Sequence, residues 1–261
     1  MIEALLAALA LCAIMVAAWL HQRATQNGGW ADVYWSFGTG AVGAGLALAI
    51  GTAGPRRLVV AALAVLWGLR LGSHILARTR RDAEDARYTE LRRQWGDAAQ
   101  WRLFAFFQVQ AAAALPLVGT IALASANPAA GLTGADLAGV GVFALALAGA
   151  TLADRQLAAF RRDPAQRGRI CDRGLWAWSR HPNYFFEWLG WVAFPVIAIG
   201  TDVWPWGFAA LAGPALMYWL LVHVSGIPPL EAHMLASRGD AFHAYSARTR
   251  PFLPLPRWST S

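Results

Sequence analysis

Asn183 and Glu187 stand four residues apart just behind Pro182, in the segment Gly174-Leu175-Trp176-Ala177-Trp178-Ser179-Arg180-His181-Pro182-Asn183-Tyr184-Phe185-Phe186-Glu187-Trp188. Proline suits the first turn of a helix. The spacing therefore predicts a helix from Pro182, with an amide and a carboxylate on one face. Together they can read a planar amide, which has one donor group and one acceptor group. A nicotinamide carboxamide is such a group, and a helix N-terminus favours a phosphate nearby. The same two side chains can instead bond to each other. Asp154 heads a basic stretch that holds Arg161, Arg162, Arg167, Arg169 and Arg173. Topology alone can account for those cations. It accounts less simply for Asp154, although an acid at an exposed helix end is common.

Other ionisable groups fall inside apolar runs, where charge is costly and lines a cavity or finds a partner. Asp32, in Trp30-Ala31-Asp32-Val33-Tyr34-Trp35, is either an interfacial acid in an aromatic belt or a polar group lining a substrate pocket. Arg70 shares a helical face with Trp67, His74 and Arg78. It calls for an anion, either an acidic side chain or a ligand phosphate. Glu231 and His233 follow Pro228-Pro229, and the closing stretch Tyr245 to Pro254 adds Arg248 and Arg250. Interfacial anchoring is the plain alternative for these last groups.

The elements that must position these residues are membrane helices. Of 261 residues, 57% are hydrophobic and 14% charged, against about a quarter charged in a soluble domain. Runs of about 20 apolar residues read as spans, and seven are expected, at about 2–20, 31–51, 57–77, 104–125, 134–153, 183–200 and 204–224. The fold class is all-α, a polytopic membrane protein in one domain over 1–261. Its substrate-side helices lie in about 1–125 and its cofactor-binding half in about 134–261. Open sheets cannot satisfy their backbone in lipid. The first run has Glu3 and no basic residue before it, unlike a signal peptide, and reads as a retained helix. With the N-terminus outside, 19 of the 22 Arg fall on the inner side, which puts the C-terminus in the cytoplasm.

The net charge of +7 suggests nucleic acid only if the cations cover a soluble surface, and their one-sided distribution removes that reading. All 22 basic residues are Arg, so Lys chemistry is excluded. The six His show no metal-binding spacing, and Cys12 and Cys171 lie in different environments of a chain facing a reducing compartment. Gly38-Thr39-Gly40-Ala41-Val42-Gly43 matches Gly-x-Gly-x-x-Gly. It lies inside a span with no acid about 20 residues on, so close helix packing by small residues is the better account. Arg238-Gly239-Asp240 reads as a turn.

At these residues the chain resembles the steroid 5α-reductase family, in its bacterial branch of membrane proteins. The resemblance rests on Arg169 through Glu187, with Gly174-Leu175-Trp176 and Ser179-Arg180-His181-Pro182-Asn183-Tyr184. Asp154, Arg161 and Arg250-Pro251-Phe252-Leu253-Pro254 agree in order and spacing. It covers the C-terminal half well and the N-terminal half weakly. Isoprenylcysteine carboxyl methyltransferases and sterol reductases carry relatives of the Arg-His-Pro-Asn-Tyr element.

The resemblance implies a seven-helix reductase of the bacterial inner membrane that binds NADPH in a cavity open to the cytoplasm. Asn183 and Glu187 then hold the nicotinamide end. Asp154, Arg161 and Arg169 hold the adenosine and phosphates, joined by Arg70 and Arg81. Glu231 and His233 are the candidates after the last helix. The expected reaction saturates the C4–C5 bond of 3-oxo-Δ4 steroids, or related lipophilic enones, entering from the bilayer. The protein works as a monomer with lipids as its other partners, and without nucleic acid or metal. The family polarises the substrate carbonyl with a Glu on the second helix and a Tyr on the third. Here Asp32 and Trp67 stand nearest, and Tyr34 is the phenol available. Asp32 can donate only if protonated; as a carboxylate it can only orient another donor. An S-adenosylmethionine-dependent carboxyl methyltransferase and a small-molecule transporter are the alternatives.

Overall fold

The structure is a computed structural model that describes residues 2–81, 84–200 and 204–255. Arg257 lies outside the described residues. Ten α-helices are found among those described: α1 (Ile2–Thr25), α2 (Trp30–Ile50), α3 (Pro55–Arg81), α4 (Ala86–Trp95), α5 (Ala99–Ser125), α6 (Gly134–Arg162), α7 (Pro182–Ile199), α8 (Ala212–Trp219), α9 (Ile227–Arg238) and α10 (Asp240–Arg248). Among the described residues the one extended pairing is a bridge between Ser179 and Arg250. A helix satisfies its own backbone polar groups, as a segment in lipid must.

Among the described residues six stretches are long and apolar enough to cross a membrane: Ile2–Thr25, Trp30–Ile50, Pro55–Arg81, Arg87–Ser125, Gly134–Arg162 and Pro205–Arg238. The run expected at 183–200 is a helix, α7, but is not among the six. Asn183, Glu187 and two prolines make it less apolar than its neighbours. The polar stretch 78–103, between the runs expected at 57–77 and 104–125, contains α4.

The chain divides into two compact units. The first runs from the N-terminus to Gly139 and takes in Phe194–Gly213; the second holds Val140–Ala193 and the chain from Pro214 onward.

In the first unit α2 packs on α1, α3 and α5. Its small residues permit this. A Cβ at Gly38 would meet Ile14 of α1, one at Gly40 would meet the backbone of Gly68 and Ala64 on α3, and one at Gly43 would meet Ile121 of α5. The glycine pattern that imitates a dinucleotide fingerprint is therefore a packing surface shared with three helices. A buried cluster follows, including Leu11, Met15, Tyr88, Leu103, Phe107, Ala111 and Val118.

Arg56, at the start of α3, is 2% exposed. Its Nε and Nη2 donate to the two oxygens of Asp136 at 2.7 and 2.8 Å. Its remaining N–H groups donate to the carbonyls of Asn127, Ala129 and Gly131 at 2.7–2.9 Å. All five guanidinium donors are thus used. Asp136 also accepts from the backbone and hydroxyl of Thr133, and the Thr133 hydroxyl accepts from the Asp136 N–H. That is a capping box with Asp in the acidic place.

Removing one member of such a pair strands a buried charge, at a cost of about 3–5 kcal/mol. Arg56→Ala is expected to lose stability on that scale in detergent-solubilised unfolding. Arg57→Ala, at the half-buried neighbour, is expected to stay within about 0.5 kcal/mol. Equal effects would contradict the assignment.

Candidate functional site

In the first unit the chemistry gathers on Asp32, in the first turn of α2, where the helix dipole favours an acid. Its Oδ2 accepts from Arg87 Nη2 at 2.6 Å and its Oδ1 from the Tyr88 hydroxyl at 3.0 Å. Arg87 also donates to both oxygens of Asp85 at 3.0 and 3.1 Å, and Arg78 reaches Asp85 at 3.3 Å. Asp85 caps α4 by accepting the Arg87 N–H. Burial pushes the Asp85 carboxyl up, but the hydrogen bonds and charge of Arg87, with Arg78, outweigh this and hold it below the usual carboxylate range. Two carboxylates and two guanidiniums thus join α2, α3 and α4 in one network.

Tyr88 is 2% exposed. Its oxygen receives the Gln110 amide at 3.5 Å, and its ring meets Phe107 edge-on. Tyr34, the phenol expected beside Asp32, pairs with His21 Nδ1 at 3.1 Å instead, and His21 stacks on Trp30. Trp67 is buried with its ring edge-on to Trp35. Tyr88 and Arg87 were not among the sequence candidates. Tyr88, Leu91 and Trp95 repeat at three- and four-residue spacing and pack on the buried cluster, which is the signal of an amphipathic helix. Both Asp32 oxygens accept, one from the Arg87 guanidinium and one from the Tyr88 hydroxyl, which is the arrangement of a group that orients a donor. Arg70 is half-buried and Arg81 exposed, both on α3.

In the second unit the stretch before α7 is built from its own motif residues. Gly174–Ala177 forms a 3-10 turn. The Trp176 indole donates to the Ala153 carbonyl at 2.9 Å, and the Tyr245 hydroxyl donates to the Trp176 carbonyl at 2.6 Å. The Ser179 hydroxyl donates to the Phe252 carbonyl and accepts the His181 N–H. Arg180 donates to both oxygens of Glu231 at 2.7 and 3.0 Å, and to the carbonyls of Thr249 and Ser246. His181 Nε2 lies 2.9 Å from the same Glu231. Phe252 closes the tail against Phe185, Trp188 and Tyr218, with ring centroids 5.5–5.8 Å apart.

Pro182 opens α7 as expected. Asn183 Nδ2 reaches Asp154 Oδ1 at 3.4 Å, near the limit of a hydrogen bond. Glu187, one turn further along, is 8% exposed. The structure thus brings Asp154 and Asn183 together and buries Glu187 on the same helix as Asn183. An amide donor and a carboxylate acceptor on one helix suit a carboxamide, so the residues present fit the group that the resemblance implies. Arg161 and Arg169 are exposed, and the Arg173 guanidinium lies over Phe160. Glu231 is engaged by Arg180 and His181, and His233 is exposed. Among the described residues no group of His, Cys, Asp and Glu could hold a metal ion.

The family model described as "Protein of unknown function (DUF1295)" matches residues 18–249. The chain belongs to the DUF1295 family. That match spans both clusters, from His21 to Thr249. No curated protein and no solved structure gives a significant match.

Burial holds His181 below the usual imidazole range, although Glu231 pulls the other way. The unfolded chain therefore takes up this proton first. The stabilising contribution is whole above the ordinary imidazole value and is lost as pH falls through it toward the folded value. The melting temperature is expected to drop between about pH 7.5 and about pH 5, and His181→Asn is expected to flatten that part of the profile. An unchanged slope in the variant would contradict the account.

Proposed function

We propose that this DUF1295 chain is an NADPH-dependent reductase of lipophilic enones, of which 3-oxo-Δ4 steroids are the type. It works as a monomer in a bacterial inner membrane. The observation that carries the reading is the Asp154–Asn183 contact with the Glu187 carboxylate buried one turn along α7. It agrees with the roles that resemblance to the steroid 5α-reductases gives these three residues. α7 is proposed as the seventh span. Polar groups at membrane depth mark functional sites by default, and Asn183 and Glu187 are the two that lower its hydropathy. The Arg distribution supports an outer N-terminus and a cytoplasmic cofactor side.

NADPH supplies the hydride to the β-carbon when bound, and a proton added at the α-carbon completes the saturation. Asn183 offers its carboxamide a donor and Glu187 an acceptor, while Asp154 orients the Asn183 amide. In the second unit Arg161 and Arg169 provide charge for the phosphates, which Arg can grip in bidentate fashion. Glu231 acts through Arg180 and His181, fixing the chain that enters α7. His233 remains a candidate for the cofactor's outer parts.

The substrate oxygen is received by Tyr88. Its hydroxyl is a rotor, so the proton that rests on Asp32 can turn to a carbonyl oxygen. A donor in that place stabilises the negative charge that builds there. Asp32, paired with Arg87, sets where the phenol stands. Trp67 and Tyr34 shape the surroundings in this reading.

NADPH is expected to raise the melting temperature of the purified protein more than NADH or S-adenosylmethionine does, since a ligand stabilises by mass action. Asn183→Ala is expected to weaken that protection by about tenfold in concentration, the loss of roughly one hydrogen bond. NADPH oxidation with progesterone or testosterone is expected to give the saturated ketone, and Tyr88→Phe to lower kcat about a hundredfold. Protection by S-adenosylmethionine alone would overturn the reading in favour of a methyltransferase. Full function in Asn183→Ala would favour a transporter.

A further inference from the structure

Gly28 stands in the turn between α1 and α2, four residues before Asp32. Its N–H donates to Glu84 Oε1 at 2.6 Å, and its carbonyl accepts the Ala31 N–H as α2 begins. A Cβ at this position would overlap the Tyr88 side chain, 2.6 Å from Tyr88 Cβ and Cδ1 and closer still to Cγ. Heavy atoms do not approach that closely without displacement. The backbone of Gly28 therefore lies directly on the base of the Tyr88 ring. Its φ is not among the positive values, so the requirement for glycine here is space rather than conformation.

The ring has little room to retreat. Tyr88 is buried, Phe107 meets it edge-on, and the Arg87 guanidinium lies over its face. The turn is equally tied. Glu84 holds Gly28, and Arg92 holds Glu84 at 3.1 Å and Gln22 at 2.6 Å. Gln22 in turn bonds Gln100, and the Asn27 oxygen accepts the Gly29 N–H. The turn that launches α2, and with it Asp32, is thus seated on the ring whose hydroxyl touches Asp32.

We propose that Gly28 is a positioning residue: its missing side chain sets how closely the start of α2 seats on Tyr88, and hence the Tyr88–Asp32 geometry. The proposal rests on the reading in which Tyr88 receives the substrate oxygen. Gly29 provides the matched control. A Cβ there would lie 3.0–3.3 Å from Asn27 and Thr79 side-chain atoms, with no Tyr88 atom among the nearest.

The test compares Gly28→Ala, Gly29→Ala and Tyr88→Phe in full-length protein, by enone reduction with NADPH and by fluorine NMR of protein carrying fluorotyrosine. The resonance missing in Tyr88→Phe identifies Tyr88. A misplacement of about 1 Å can cost about a hundredfold in rate. Gly28→Ala is expected to lower kcat by at least about tenfold with little change in the KM for NADPH, and to move the Tyr88 resonance. Gly29→Ala is expected to do neither. In the Tyr88→Phe background, Gly28→Ala is expected to cost less than about twofold more, as coupled neighbours do. An unmoved resonance, equal losses in the two glycine variants, or undiminished loss on the Phe background would overturn the proposal. If Tyr88→Phe keeps full kcat, the catalytic reading falls, and the resonance alone decides whether Gly28 positions the ring. Should Gly28→Ala fail to accumulate, Gly28→Ala with Tyr88→Gly removes every side-chain atom of the overlap, Cβ included, and is expected to restore folded protein. Failure of that pair to fold while Tyr88→Gly folds would also overturn the proposal.

Discussion

A charge held among apolar helices must have its partner, and three Arg–carboxylate pairs meet that demand at the points where the chain most needs fixing. Arg56 with Asp136 ties the start of α3 to the start of α6 across 80 residues of sequence. Arg87 with Asp32 ties α4 to α2 across 55, and Arg180 with Glu231 ties the entry to α7 to α9 across 51. Lipid offers no hydrophobic gain between helices, so these pairs supply direction that apolar packing cannot. Each uses the planar fork of Arg: Arg56 and Arg180 grip one carboxylate through two nitrogens and give other donors to carbonyls, while Arg87 divides its donors between the carboxylates of Asp32 and Asp85. A chain with no Lys is suited to this use.

The three pairs do different work. Arg56–Asp136 is closed: every donor is used and neither group has a role beyond holding. Arg180–Glu231 also gathers the closing stretch of the described chain, because Arg180 binds the carbonyls of Ser246 and Thr249 while Ser179 binds that of Phe252. Much of the Ser-Arg-His-Pro-Asn-Tyr motif is thus scaffold. Its serine, arginine and histidine fix the approach to α7, and its asparagine is left facing Asp154. Arg87–Asp32 is the open pair, since Asp32 keeps a second oxygen for a phenol. A rigid support with one rotatable hydroxyl at its end is the arrangement that preorganised polar catalysis needs.

What the sequence revealed follows the range of each signal. Six apolar stretches and the helix start at Pro182 depend on local composition and appear where expected. The glycines of α2 were legible as packing residues because no acid follows at the distance a dinucleotide site requires. Asp154, Asn183 and Glu187 could be singled out by spacing, and the first two do meet. Tyr88 was missed because α4 lies within a strongly charged stretch, where its face of Tyr88, Leu91 and Trp95 is short. The partner of Asp32 sits 55 residues away, beyond the reach of any periodicity. Arg56 was invisible for the same reason, and so was Gly28, whose requirement for space arises only when α4 folds onto the turn. Glu231 was recognisable as unusual, but its hold on Arg180 and His181 was not.

The central claim is hydride transfer to a lipophilic enone, and isotopic labelling tests it most directly. Purified protein would be incubated with progesterone and NADPH deuterated at C4 of the nicotinamide, on each face in turn, with the steroid analysed by mass spectrometry. The account predicts that one of the two labels delivers a single deuterium to C5 of a product saturated at C4–C5. Recovery of unreduced steroid, or of a saturated product free of deuterium with both labels, would contradict it.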